Sequence, residues 1–185
     1  LDVEGGVVFN EDSASVDFRV ESNGDANCLV VDGSGDHVGI GIAVPEAKLH
    51  IFDGDASVGP NANGDDLVVE DDDNCGISIL SANNAYGSIF FGDDGDDDIG
   101  QIRYDHTNNT LQFHSNAGER VRIEGDKILF HKTSAALGTV GTELYDTGVL
   151  RITANAAAPL VLNREGSDGY ISVSYTHLRA HETPA

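Results

Sequence analysis

The densest group of potential metal ligands in this sequence is an acidic, glycine-rich stretch between Gly92 and Gly100. Its aspartates are Asp93, Asp94, Asp96, Asp97 and Asp98. Ca²⁺ binds hard oxygen ligands, and carboxylates on a glycine-rich turn supply several of them at once. A short acidic run is nevertheless more often a turn whose carboxylates face water. We therefore expect a solvated acidic turn here and keep a Ca²⁺ site as the alternative; no other cofactor is indicated.

A second group of carboxylates follows a predicted strand and consists of Glu70, Asp71, Asp72 and Asp73. Hydrolysis of a glycosidic bond needs two carboxyl groups at a defined separation across a pocket, one of them with a raised pKa. Adjacent acids on a turn usually face water instead. The sequence contains no Gly-x-Ser-x-Gly nucleophile elbow and no Gly-Lys-Ser/Thr phosphate loop. We predict that the protein is not an enzyme and has no catalytic residue.

Histidines and cysteines, the other common metal ligands, are scattered along the chain. None of the histidines before residue 173 has a paired spacing typical of a metal site; they are His37, His50, His106, His114 and His131. The two cysteines, Cys28 and Cys75, are far apart and form neither a disulfide framework nor a metal pattern. We expect both thiols to be unpaired and to behave as small core residues.

The charge of the chain excludes two classes of partner. Lys plus Arg number 10 against 32 Asp plus Glu, which gives a formal net charge of −22. Such a charge repels the phosphates of nucleic acids and anionic membrane surfaces. No apolar run approaches the roughly 20 residues that a membrane-spanning helix needs. We therefore predict no nucleic-acid partner and no membrane insertion.

Apolar residues alternate with polar ones in short runs separated by Gly, Asn, Asp and Ser, which is typical of strands and tight turns. The runs are Phe18/Val20, Leu29/Val31, Val38/Ile40/Ile42, Leu49/Ile51, Leu67/Val69, Ile77/Ile79, Ile89/Phe91, Ile102/Tyr104, Leu111/Phe113, Val121/Ile123, Ile128/Phe130, Leu150/Ile152 and Leu160/Leu162. We expect these apolar residues to face inward. Turns are predicted at Asn23-Gly24, Asn63-Gly64 and Asn108-Asn109. The pattern predicts an all-β protein, an elongated array of short antiparallel strands and hairpins.

One segment of the sequence, 36–51, resembles the box VGIGTxxPxAKLHV that recurs in phage tail fibres. The matching residues are Val38, Gly39, Ile40, Gly41, Pro45, Lys48, Leu49 and His50. The lead-in Asp17-Phe18-Arg19-Val20-Glu21-Ser22 is also similar to text that precedes the box in such fibres. The chain departs from the usual box at Ile42-Ala43-Val44, where Thr and Ser are commoner.

The resemblance implies a structural protein of the virion, located in the phage tail. It implies a shaft segment that forms a homotrimer, contacts other tail proteins and supports host attachment through a receptor-binding region elsewhere. Short alternating strands cannot bury their apolar faces alone, and symmetry-related copies around a threefold axis would complete the core. In this family His50 would make an outward or interchain polar contact.

Residue composition divides the chain into four segments. We predict a first β-repeat region at 1–53 with the box, a linker rich in Gly, Asn and Asp at 54–65, and a second β-repeat region at 66–172. Residues 173–183 match one translated frame of a sequencing adapter, and we interpret 173–185 as non-native. The chain also contains no Met. We expect an internal fragment of a longer, metagenomic reading frame.

Two other functions remain as alternatives to a fibre shaft. The first is a carbohydrate-binding adhesion module of a phage tip or a bacterial surface protein, which would present aromatic platforms to sugars. Its candidate residues are Phe9, Tyr86, Tyr145 and Tyr170. The second, a polysaccharide depolymerase, would need a carboxylate pair that the sequence does not single out.

Overall fold

The computed structural model describes residues 14–161. Within that range the chain forms twelve β-strands and no helix, so the all-β prediction is confirmed. The chain divides into two compact units between Ser78 and Ile79. Each unit contains one sheet. Phe9, Leu162, Tyr170 and residues 173–185, about which the sequence makes predictions, lie outside the described residues.

The first sheet has five strands in the order of the sequence. They are β1 (Phe18–Val20), β2 (Leu29–Asp32), β3 (His37–Ile40), β4 (Leu49–Phe52) and β5 (Leu67–Glu70). β1, β2 and β3 pair antiparallel. The expectation of antiparallel strands is wrong for the rest of this sheet, because β3, β4 and β5 pair parallel. Irregular crossovers at 41–48 and 53–66 return the chain to the same end each time.

The second sheet has seven strands, each paired antiparallel with the next. They are β6 (Tyr86–Phe91), β7 (Gly100–Asp105), β8 (Thr110–Ser115), β9 (Gly118–Glu124), β10 (Lys127–Phe130), β11 (Gly141–Tyr145) and β12 (Leu150–Thr153). The sequence did not predict β11. Conversely, Ile77, Ile79 and Leu160 lie outside strands.

Tight turns join the strands of the second sheet. The predicted hairpin tip at Asn108-Asn109 lies between β7 and β8, with Asn109 at a φ of 52°. Between β8 and β9 the two-residue loop Asn116-Ala117 has φ values of 52° and 54°, as a type I′ turn requires. After this turn Arg120 is an extra residue, because His114 pairs with Glu119 while Phe113 pairs with Val121.

The glycine-rich segment at 54–65 contains bends and turns but no strand. It belongs to the crossover between β4 and β5, within the first compact unit. Glu70 at the end of β5 accepts a hydrogen bond from the backbone N–H of Ala56 at 2.8 Å. The segment is therefore fastened to the strand that follows it.

Candidate functional site

One face of the second sheet is almost entirely apolar. Register aligns one row of side chains across all seven strands: Ile89, Ile102, Phe113, Val121, Phe130, Thr142 and Ile152. A neighbouring row consists of Gly87, Tyr104, Leu111, Ile123, Ile128, Leu144 and Leu150. We call these two rows the apolar face of the second sheet. None of its residues carries a charge.

The first sheet repeats this arrangement. Its apolar face consists of Phe18, Val20, Leu29, Val31, Val38, Ile40, Leu49, Ile51, Leu67 and Val69, which the register places on one side. Successive residues of a strand point to opposite faces, so a strict period of two in the sequence produces both apolar faces. The side chains that the sequence grouped together therefore do share a face.

Neither apolar face is buried by the described residues of its own unit. In the second sheet Ile89 is 48% exposed, Phe130 43% and Leu150 55%. In the first sheet Val31 and Ile40 are each 41% exposed. The expectation that these residues face inward is wrong within each unit, because the described residues of that unit supply no second layer over them. Contiguous exposed apolar surface of this kind marks an interaction site.

The opposite faces bury polar side chains. In the second sheet Gln112 and Thr110 are each 2% exposed and bond to each other at 2.9 Å, and Arg103 Nε donates to Gln112 Oε1 at 2.7 Å. Only three hydrophobic side chains are buried among the described residues: Val30, Ala47 and Leu129. No buried side-chain nitrogen or oxygen in residues 14–161 lacks a partner. The sheets thus bury polar side chains and expose apolar ones, the reverse of what is usual in a globular domain.

A buried ion pair anchors the loop between β10 and β11. The ammonium of Lys132 donates to Glu143 and to the backbone oxygens of Ala136 and Thr139. Tyr145 Oη also donates to Glu143, at 2.6 Å. Hydrogen bonds from Lys132 and then from Tyr145 hold the pKa of Glu143 below its ordinary value. Two of the three N–H groups of Lys132 therefore hold the loop, and the third binds Glu143 in β11.

The box at 36–51 forms β3, most of β4 and the crossover between them. Gly41 has a φ of 80°, and a Cβ there would meet the carbonyl oxygen of Phe52. A Cβ on Gly39 would lie 2.8 Å from the carbonyl oxygen of Ile42. The oxygen of Pro45 bonds with His37 Nδ1 at 2.9 Å, and the backbone of Lys48 accepts from Val38 at 2.9 Å. The box residues thus fit the crossover's geometry.

His50 of the box is buried, which corrects the expectation of an outward or interchain contact; it is 1% exposed. Its Nε2 lies 2.9 Å from Glu70 Oε2, and its Nδ1 accepts from the backbone N–H of Glu46 at 3.3 Å. This network assigns the proton of a neutral ring to Nε2. Since both ring nitrogens are engaged, His50 ties β4 to β5 and to the crossover. It has no nitrogen free for proton transfer to a ligand.

Three residues of the predicted acidic turn come together in the structure. Carboxylate oxygens of Asp96, Asp97 and Asp98 lie within 4.8 Å of one another. A hydrogen bond with Asp96, and then burial, raise the pKa of Asp98. Asp93 faces its own turn, accepting from the N–H groups of Gly95 and Asp96, while Asp94 is exposed. Hydrogen bonds within the turn thus use several of these oxygens, and Ca²⁺ binding stays a prediction.

The remaining sequence candidates do not form a reactive group. Cys28 and Cys75 are unpaired as predicted, but both are exposed and the expectation that they are core residues is wrong. Glu70 bonds to His50 and Ala56, whereas Asp71 accepts from the N–H of Asp73 in an exposed turn. The residues 70–73 therefore act in local structure.

No family model, curated protein or solved structure matches this chain. Within residues 14–161 no helix is long and apolar enough to cross a membrane.

Proposed function

We propose that this chain is a segment of a phage tail fibre shaft and that its copies assemble through their apolar faces into a homotrimer. The observation that carries the proposal is the reversed polarity of both sheets. A sheet needs a covered apolar face to be stable in water, and the described residues of each unit supply no cover for its own sheet. A partner layer is required.

A second copy of the same chain fits this surface better than an arbitrary partner. With a net charge of −22, two copies repel each other over most of their surfaces. The apolar faces carry no charge, so copies can meet there without burying an unpaired ion. In the second sheet a row on the opposite face carries four charges, those of Arg103, Arg122, Glu143 and Arg151. The proposal of three copies, rather than another number, rests on the resemblance to phage fibres.

As a shaft, the assembly would act mechanically. Continuous hydrogen bonding between neighbouring strands resists bending, and three copies multiply weak receptor contacts made by another region of the fibre. Such a protein would belong to the virion and would bind other tail proteins at its ends. No catalytic step is part of this function.

Sedimentation velocity on the full chain at micromolar concentration tests the assembly. We expect a species of three times the 19.5 kDa chain mass. Phe113→Asp places a charge in the middle of the apolar face and should dissociate it. Phe90→Asp is the matched control, because Phe90 is 57% exposed on the opposite face of the same sheet, and it should leave the trimer intact.

A stably folded wild-type monomer at this concentration would overturn the proposal. A folded dimer would support self-association through the apolar faces but would contradict the trimer. If Phe113→Asp loses its β-sheet circular dichroism, Ile89→Asp on the edge strand β6 repeats the test with less disturbance of the sheet.

A further inference from the structure

An open cleft lies on the polar side of the second sheet, at its β6 edge. Its volume of about 550 Å³ lies in the range of small-molecule sites. Its lining residues come from β6, β7 and the acidic turn before β7: Tyr86, Ser88, Phe90, Asp98, Gln101 and Arg103. Because the cleft is on the face opposite the apolar rows, covering those rows leaves it accessible.

Two aromatic rings stand in this cleft. Tyr86 and Phe90 are 54% and 57% exposed. They lie on the same face of β6, four residues apart, which corresponds to about 13 Å along a strand. Rings at this separation contact different units of a chain-like ligand rather than two sides of one unit. Exposed aromatic side chains are costly in water and are enriched at binding sites.

The polar groups between the rings are held in place and keep hydrogen-bonding capacity. Arg103 Nε is bound to Gln112, and its guanidinium lies 4.5 Å from the centroid of the Tyr86 ring. Among residues 14–161, no carboxylate forms an ion pair with Arg103, so its terminal N–H groups remain available. Asp98 accepts from Gln101 Nε2 at 3.0 Å, which fixes the carboxylate at the cleft wall.

We propose that this cleft binds a neutral saccharide chain. Pyranose rings present C–H groups that pack on aromatic faces, and their hydroxyls both donate and accept hydrogen bonds. Phe90 and Tyr86 supply the faces, Arg103 supplies donors and Asp98 supplies an acceptor. A neutral chain is favoured over an acidic one because Asp98 adjoins Arg103 and the whole chain carries −22.

The sequence pointed to Tyr86 alone. Along β6 the run Tyr86-Gly87-Ser88-Ile89-Phe90-Phe91 places aromatic residues on both faces. The alternation of apolar residues predicts only the face of Ile89 and Phe91. Apolar residues on both faces of an edge strand are the signal that indicates Phe90.

Titration calorimetry and saturation-transfer NMR on the full chain test the site with defined probes: maltohexaose, cellohexaose, chitohexaose and mannohexaose. We expect at least one of them to bind. Phe90→Ala should weaken that binding about tenfold, because a stacking platform is lost. Arg103→Lys keeps the charge but loses the planar fork, and a several-fold weakening is expected.

Phe91→Ala provides a matched control, since Phe91 is 55% exposed and adjacent but lies on the other face. It should bind the same saccharide as tightly as the wild type does. Absence of binding by all four probes at millimolar concentration, or equal losses in Phe90→Ala and Phe91→Ala, would overturn the proposal. Sedimentation of the same variants separates this outcome from failure of the trimer, because Phe90→Ala leaves the apolar faces untouched.

Discussion

Single residues of the box are explained by close backbone approaches in the first sheet. Gly41 donates its N–H to Asn27 at 2.9 Å while holding a positive φ next to Phe52. His50 belongs to the box in the sequence, but its burial could not be predicted, because its partner Glu70 lies twenty residues further on, at the end of β5. The sequence singles out the residues of the box, and the structure shows what each one contacts.

Replacing Gly41 with alanine should therefore destabilise the first sheet. A non-glycine residue in this backbone region costs about 1–3 kcal/mol, and the new Cβ would also displace the Phe52 carbonyl. Gly24→Ala is the control, because nothing lies within 4 Å of its Cβ position; it should change the free energy of unfolding by less than about 0.5 kcal/mol. Urea unfolding of both variants gives the comparison, and equal effects would contradict it.

Glu143 gives the stability of the second sheet a pH dependence. Its pKa is lower in the folded protein than its ordinary 4.5, so its contribution is present above that value and is lost as pH falls through the folded pKa. The urea midpoint of the wild type should therefore fall more between pH 7 and pH 3 than that of Glu143→Gln. Glu21→Gln, at an exposed pair with Arg19, should follow the wild type. Identical pH profiles for all three proteins would refute this role.

Individual strands were predictable where a period of two extended over two or more apolar residues. β11 was missed because the segment Gly141–Tyr145 offers Thr142 and Leu144 as its alternating pair, and Thr is not strictly apolar. Ile77 and Ile79 alternate but gain no strand partner. The parallel pairing of β3, β4 and β5 could not be derived, since alternation specifies the face of a side chain and says nothing about strand direction.

The turn between β8 and β9 contains a non-glycine residue whose backbone conformation lowers the stability of the protein. Ala117 occupies a left-handed conformation with a φ of 54°, which is unfavourable for residues with a Cβ. Ala117→Gly should raise the free energy of unfolding by about 0.5–1 kcal/mol, after the greater chain entropy of unfolded glycine is deducted. Ala62→Gly, in an exposed turn without a positive φ, should lower it slightly. Thermal melting would detect both shifts, and a destabilised Ala117→Gly would show that the turn is not strained.

The whole molecule combines a large negative charge with uncharged apolar faces. The sequence predicted both properties, yet it could not tell whether a second layer would come from the same chain or from another. That distinction depends on tertiary packing, and within each unit the described residues leave the faces of Phe113 and of Ile40 open. Electrostatic repulsion between copies then opposes an association that burial of these faces favours.

Added salt should consequently strengthen the assembly. The Debye length shortens from about 20 Å at 20 mM to about 4 Å at 500 mM salt, which screens repulsion between exposed carboxylates. Sedimentation equilibrium at these two concentrations, about 20 mM and about 500 mM NaCl, should show tighter association at the higher one. Weaker association at high salt would indicate that ion pairs hold the copies together instead of apolar contact.

The extra residue at Arg120 shows how the sequence of such a chain can gain or lose residues during evolution. A one-residue insertion in a strand would normally send every later side chain to the wrong face. Here the bulge absorbs the insertion, so that Glu119 and Arg122 still meet on the polar side in a two-point pair at 2.8 and 2.7 Å. At a bulge the sheet can thus accommodate one added residue without exchanging the faces of the side chains that follow. Length variation in related chains should therefore concentrate at bulges rather than within the evenly alternating strands.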